Sequence, residues 1–399
     1  LKTGDIIEIA IESVAFGGDG IGRQDGQVVF VPFTVDGDLA QVEIVEVRKR
    51  YARGRLKEIR VPSIHRTEPL CREYTRCGGC CYQHIAYAHQ LVLKQQQIHD
   101  AFTRIGGIAA PPIKSVIASP QPYHYRLKAD FHILNRKGGQ PAIGFMSGAT
   151  HRIVDIPRCE IVDESINRQL ETYRQALSGQ GKPKREDRIT LWSMEGAEDT
   201  APCSSTRPPF ITRMIKGFPM VVPADGFFQA NQFLIETMIN QVIAAADLQG
   251  TETIIEGFSG SGLFTLFLAP LAGFLHTIEG DRQAVQAARK NLEEHGRTRV
   301  SLHEGDVARV LKDCLIETCE GTAAMIVDPP RTGCGNDLLE QMIRLCPSRI
   351  VYISCNPATQ ARDIQCLSQA GYLLSSLHPL DMFPQTAHIE VIAVLSLPG

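Results

Sequence analysis

Residues 251–281 read TETIIEGFSGSGLFTLFLAPLAGFLHTIEGD. A strand-length apolar run meets a glycine-rich turn, then a segment of helical character, then a second strand-length run that ends in an acid. Gly260 and Gly262 let the backbone turn sharply and approach a ligand. A GxG pair is weak evidence alone; here it follows a strand, precedes a helix and begins a long alternation. Downstream, strands are expected in VSLHEGD, AAMIVDPP, RIVYISC, LLSSLHPLD and HIEVIAVLSL, with helices in RQAVQAARKNLEEHG and PATQARDIQCLSQAG. Alternating β and α elements imply an α/β fold with a parallel sheet and helices on both faces. The last two strands have no helix between them and are expected to form an antiparallel hairpin at one edge.

Upstream of residue 224 the pattern changes. A chain of 399 residues exceeds one small core, and three domains are expected: 1–60, 61–223 and 224–399. In the first, DIIEIAIE, QVVFVPF, LAQVEIVEV and ARGRLKEI read as strands separated by glycine-rich turns, notably FGGDGIG at 16–22. They predict a five-strand β-barrel of the OB type. The second region reads as irregular α+β, with an amphipathic helix from Tyr87 to Ile105. It has strands in RLKADFHILN and PAIGFMSG joined by a hairpin at 137–139, and loops at 179–188 and 201–209.

Composition, 43% hydrophobic and 21% charged, fits a globular enzyme. No apolar run is long enough to span a bilayer, and LKTGDIIEIA lacks the layout of a secretory signal. A cytoplasmic protein is the expectation, with no membrane partner. The net charge of −3 does not announce a nucleic-acid partner. Locally, Arg48, Lys49, Arg50, Arg53, Arg55, Lys57 and Arg60 are opposed in sequence only by Glu58, a cluster able to neutralise phosphates. A solvated strand face is the competing reading. Twelve cysteines in a reducing compartment point to metal binding or catalysis rather than disulfides. Cys71, Cys77 and Cys80 have C-x5-C-x2-C spacing, with Cys81 adjacent. A fourth, distant ligand is needed, and four thiolates suit either a [4Fe–4S] cluster or a structural zinc.

Candidate chemistry gathers at expected strand ends. Glu279 can accept both hydroxyls of a ribose. A dinucleotide enzyme is a rival, although Thr265 stands where GxGxxG would place its last glycine. Pro329 and Pro330 end a strand and fix Asp328 at the sheet rim. Amino-group methyltransferases put an aromatic residue after Asp-Pro-Pro; this chain has Arg331. Cys355 closes the next strand. Glu390 lies in the final apolar run, where strand alternation predicts His388 on the same face.

FFQAN (227–231), DPPRTG (328–333), SCNP (354–357) and DMFPQTAHIE (381–390), in this order along the chain, resemble the RNA 5-methyluridine methyltransferases. The barrel and cysteine cluster resemble the subgroup acting on large-subunit ribosomal RNA, which carries a TRAM domain and a [4Fe–4S] cluster. The resemblance spans essentially the whole chain. It implies a class I (Rossmann-like) methyltransferase domain, S-adenosylmethionine as cofactor, and an RNA partner, with ribosomal RNA favoured and transfer RNA the alternative. It also implies a monomer. Cys355 would attack uracil C6 and Glu390 would remove the C5 proton. Gln229, Phe258, Glu279 and Asp328 would contact the cofactor, with Asp306 near the adenine. Cys159, in PRCEIVD, would join Cys71, Cys77 and Cys80 as fourth cluster ligand. The chain departs from the family's first loop, with Glu256 for Asp, Ser259 for Cys and Leu263 for Asn. Two rivals remain: a methyltransferase acting on another position or substrate, and a non-catalytic RNA-binding iron–sulfur protein.

Overall fold

The computed structural model describes all residues except 135–140, 149, 151, 180–185, 195–208, 317, 318, 320 and 399. The expected hairpin at 137–139, most of the loop at 179–188 and nearly all of that at 201–209 lie outside the described residues. The chain divides into two compact units. One comprises Leu1–Gln97, Gln121–Ser205 and Phe383–His388; the other comprises Ile98–Pro120, Thr206–Met382 and Ile389–Gly399.

The first unit opens with a closed five-strand barrel of order β1-β2-β3-β5-β4. Its strands are β1 (Ile6–Val14), β2 (Asp19–Gln24), β3 (Gln27–Pro32), β4 (Leu39–Val47) and β5 (Tyr51–Val61). Alternate residues fill it: Ile9, Ile11, Val29, Val31, Val42 and Ile44 are buried. The stretch expected as a turn at 16–22 supplies much of β2. Gly20 and Gly22 serve close strand approach there, since a Cβ at Gly22 would stand 2.5 Å from the Ala10 carbonyl oxygen.

The basic cluster is also corrected. Arg53 pairs with Asp19 at 3.2 Å, Arg55 and Lys57 share Glu43 at 2.7 and 3.3 Å, and Arg48 pairs with Glu46. Barrel closure brings Asp19 from β2 and Glu43 from β4, and Glu46 is a near neighbour of Arg48 in sequence, so Glu58 is not the sole opposing charge.

Helix α1 (Tyr87–Arg104) matches its expected span to one residue. The first unit also holds an antiparallel sheet of order β8-β7-β6-β9. Its strands are β6 (Lys128–Leu134), β7 (Ala142–Met146), β8 (Ile153–Asp155) and β9 (Glu186–Trp192), with α2 at Glu164–Gly179. The expected loop at 179–188 thus ends inside a strand, β9.

In the second unit a hairpin, β10 (Phe210–Ile215) and β11 (Phe218–Pro223), leads to α3 (Ile235–Ala246) and the main sheet. That sheet runs β14-β13-β12-β15-β16-β18-β17. The strands are β12 (Thr253–Gly257), β13 (Phe274–Glu279), β14 (Val300–Glu304), β15 (Ala324–Val327), β16 (Arg349–Ser354), β17 (Leu373–Leu380) and β18 (Glu390–Ser396). Between them run α4 (Leu263–Leu268), α5 (Arg282–Glu294), α6 (Val307–Val310), α7 (Gly335–Leu345) and α8 (Pro357–Gln369). The expected hairpin is present, but β18 inserts between β16 and β17 and is antiparallel to both. The outer edge of β17 is covered by residues 112–117, through Lys114 N–H to Leu377 O at 2.8 Å and Ile117 N–H to Pro379 O at 2.9 Å. A core of Ile255, Ile278, Met325, Val327, Ile350, Tyr352 and Val391 backs the sheet. No helix among the described residues is long and apolar enough to cross a membrane.

Candidate active site and thiol centre

The carboxyl ends of parallel strands share one rim of a sheet, where ligands of α/β folds bind. An antiparallel strand begins at the rim where its parallel neighbours end. Ser354 pairs with Val391, so the residue after β16, Cys355, and the first residue of β18, Glu390, meet at that rim. Asp328 follows β15 directly, and β15 and β16 are paired neighbours.

Three side chains act electrostatically on Cys355. Burial and the Glu390 charge push its thiol up to about 11; the Arg331 guanidinium opposes this by charge and hydrogen bond, and Asp328 adds to the rise. Glu390 is 4% exposed. Burial, then Asp328, raises its pKa well above the ordinary carboxylate range, and Arg331 lowers it. Burial pushes Asp328 up to about 7. One cation thus serves both the thiol and the Glu390 carboxyl. Sequence reasoning used Arg331 only to argue against amine chemistry. Its signal was its place directly after Asp-Pro-Pro, in the loop that follows β15, the strand beside β16.

His388 is not on a strand face with Glu390. β18 starts at Glu390, and His388 belongs to the first unit, its ring meeting Phe383 edge-on at 6.1 Å.

Glu279 ends β13 as expected, and its carboxylate accepts the Gly260 and Asp281 N–H groups, each at 2.7 Å. Phe258, with φ +62°, begins the glycine-rich loop. It lines a cavity of about 270 Å³ together with Asp306, Ala308 and Leu338. Asp306 also caps α6, accepting the Arg309 N–H at 3.0 Å. Gln229 is buried in the loop between β11 and α3, in no hydrogen bond with these groups. Glu256 is buried, takes the Thr265 hydroxyl at 2.6 Å and is pushed up to about 8 by burial.

In the first unit, Cys71, Cys77, Cys80 and Cys159 line one cavity of about 290 Å³, with Gly78 and Gly79 on its wall. Burial raises all four thiols, Cys159 to about 12, so they would be poor thiolates without a cation. Backbone N–H groups already point at three of the sulfurs: Glu73 and Tyr74 toward Cys71, Gly79 toward Cys77, Ile161 and Val162 toward Cys159. Cys81 stands apart, its Sγ meeting the Ala387 backbone and lying off that cavity. No three of the four cavity sulfurs lie within 4.8 Å of one another. A lone zinc would hold them about 3.8 Å apart, given tetrahedral bonds of ~2.3 Å.

Among the described residues, Asp36, His65 and His89 do bring ligand atoms that close. Their imidazoles are stacked at 3.6 Å and 3°, so one ion cannot lie in both ring planes, and His89 already bonds Asp36 at 2.8 Å. This group is a hydrogen-bonded stack.

Residues 216–397 match the family model described as tRNA (uracil-5-)-methyltransferase, and residues 1–57 match that of the TRAM domain. A protein of Halalkalibacterium halodurans named as an uncharacterised RNA methyltransferase is 31% identical, covering 98% of this chain and 97% of its own length. One of Nostoc, similarly named, is 32% identical, at 99% and 97%. Among solved structures, the tRNA (uracil-54, C5)-methyltransferase of Pyrococcus abyssi, in complex with S-adenosyl-L-homocysteine, has the same fold. The TM-score is 0.71 at 24% identity, covering 98% of this chain and 100% of that one.

Proposed function

The chain belongs to the RNA (uracil-5-)-methyltransferase family, and on that premise we propose that Cys355 and Glu390 form 5-methyluridine by transient covalent attachment to the base. The observation that carries this is the β16–β18 register, which puts a thiol and a buried carboxyl side by side at the ligand-binding rim.

Uracil C5 is a poor nucleophile. Addition of the Cys355 thiolate to C6 forms a C–S bond and moves the ring electrons toward C5 and O4, which makes C5 nucleophilic. S-adenosylmethionine supplies the methyl group that C5 takes. Glu390 then accepts the C5 proton, the C5–C6 double bond reforms, and the C–S electron pair returns to Cys355. A carboxyl with a raised pKa is a stronger base than an ordinary one, and Arg331 is placed to stabilise the thiolate and the ionised acid in turn. The Glu279 carboxylate and the Phe258–Asp306 cavity suit a ribose and an adenine ring. Gln229 and Asp328 are assigned to the cofactor through the motif resemblance.

Cys71, Cys77, Cys80 and Cys159 would hold a [4Fe–4S] cluster. The shared cavity and the backbone donors to sulfur support this. The role is structural, because these residues are not part of the rim chemistry. The barrel and cluster favour 23S ribosomal RNA over transfer RNA as substrate. Mapping 5-methyluridine in both RNA classes, from cells with and without the protein, checks that choice. For the chemistry, Cys355→Ala should abolish methylation. RNA carrying 5-fluorouridine should form a denaturation-resistant adduct with the native enzyme through Cys355. Methyl transfer to unmodified RNA by the Cys355→Ala variant would sink the mechanism.

A further inference from the structure

We propose that Asp363 is a positioning residue: from helix α8 it anchors the loop 331–334 so that the Arg331 guanidinium stays on the Cys355 thiol. The inference rests on the reading of Cys355 as nucleophile.

Cys355 stands two residues before α8, and that helix grips the loop in succession. The Arg331 carbonyl accepts from Asn356 Nδ2 and from Thr359 Oγ1, both at 3.1 Å. The Thr332 carbonyl accepts from Arg362 Nη2 at 2.9 Å. The Cys334 N–H donates to Asp363 Oδ2 at 2.8 Å, and the Tyr352 hydroxyl donates to the same oxygen at 2.7 Å. Arg362 holds Asp363 Oδ1 through Nε and Nη2, at 2.9 and 2.7 Å. Asp363 is wholly buried, a costly place for a carboxylate unless its oxygens are filled. Here four donor contacts fill them, from three partners in the loop, the strand and the helix. The loop lies directly on that carboxylate: Gly333 has φ +84°, and a Cβ there would stand 2.3 Å from Asp363 Oδ2. No side chain fits between them.

The arrangement matters because Cys355 faces one cation, Arg331, against two acids, Glu390 and Asp328. If the loop shifts, the thiol keeps its acidic neighbours and loses the guanidinium. A carboxylate that holds the loop, and whose contacts are with Cys334, Tyr352 and Arg362, therefore governs how readily the thiol ionises.

The test is the rate at which iodoacetamide alkylates Cys355 in the full-length protein without RNA, mapped by mass spectrometry between pH 7 and 10. Below its pKa the rate follows the thiolate fraction. Arg331→Met should slow it about tenfold, one unit of thiol pKa. Asp363→Asn should slow it by at least about fivefold, and the double variant no further than Arg331→Met alone, because both changes remove one interaction. Thr359→Val, on the exposed side of the loop, should give a smaller change in the same direction. Native alkylation of Asp363→Asn, or additive losses in the double variant, would overturn the proposal. If Asp363→Asn does not fold, the Thr359→Val and Arg331→Met pair decides by the same criterion. The underlying reading fails separately, if 5-fluorouridine RNA forms no adduct while the alkylation cycle holds.

Discussion

At Glu256 a carboxyl is enclosed between β12 and α4, and its neighbours decide its charge. In the unfolded chain it ionises near 4.5; in the fold, burial and then Asp328 raise it to about 8, with only Thr265 opposing by hydrogen bond. The folded protein therefore keeps a proton that the unfolded chain releases between those values. The stability this gives is complete below about 4.5 and is lost as pH rises through about 8. Glu256→Gln, neutral at every pH, should melt like the native protein at pH 5 and be more stable at pH 8.5. The gain should be on the order of 1–4 kcal/mol, since each pKa unit is about 1.4 kcal/mol. Equal melting temperatures at pH 8.5 would show that the carboxyl is not buried in this way. At Glu390 the consequence is kinetic. Glu390→Gln should leave addition and methyl transfer possible but block proton removal, so a methylated adduct on Cys355 should accumulate with unmodified RNA. Rapid turnover without an adduct would remove Glu390 from the role of base. Cys355 and Glu390 were each legible as residues, one at a strand end in SCNP, the other an acid in an apolar run. Their partner Arg331 was not, because nothing in its neighbours along the chain says that its guanidinium meets a thiol 24 positions later.

Elements followed their local patterns closely where periodicity was strong. The strands of the α/β sheet and the helices at Arg282–Glu294 and Pro357–Gln369 match their expected runs, because each buries an apolar face at its own period. β2 was hidden for the opposite reason. Asp19–Gln24 has two glycines and one apolar side chain, which reads as a turn, yet the barrel needs glycine there to let β1 and β2 close together. Gly22→Ala should accordingly lower stability by about 1–3 kcal/mol, the usual cost of forcing atoms into a filled site. Denaturant titration reads this as a lower midpoint, and an unchanged midpoint would contradict the close contact. β18 shows another limit: alternation suggested that His388 shares its face with Glu390, but the strand begins only at Glu390.

At the scale of the molecule, each compact unit is assembled from three separated stretches of chain. The four cavity cysteines show what such assembly does, since Cys159 reaches the Cys71–Cys80 loop only through folding. Cys159→Ser should bleach the brown colour of anaerobically purified protein and lower its iron content; colourless native protein containing zinc would refute the cluster. The sequence by itself determined the alternating α/β region, the barrel, the spacing of the thiols and the positions of Cys355 and Glu390, the two residues proposed to react. These are properties of neighbours along the chain, written in periodicity, turn residues and motif. Tertiary structure alone decided that β18 enters between β16 and β17, which sets Glu390 beside Cys355. It also decided that α8 holds the Arg331 loop and that barrel acids offset part of the basic cluster's charge. Those outcomes depend on which distant surfaces bury each other, a choice made by packing among segments far apart in sequence.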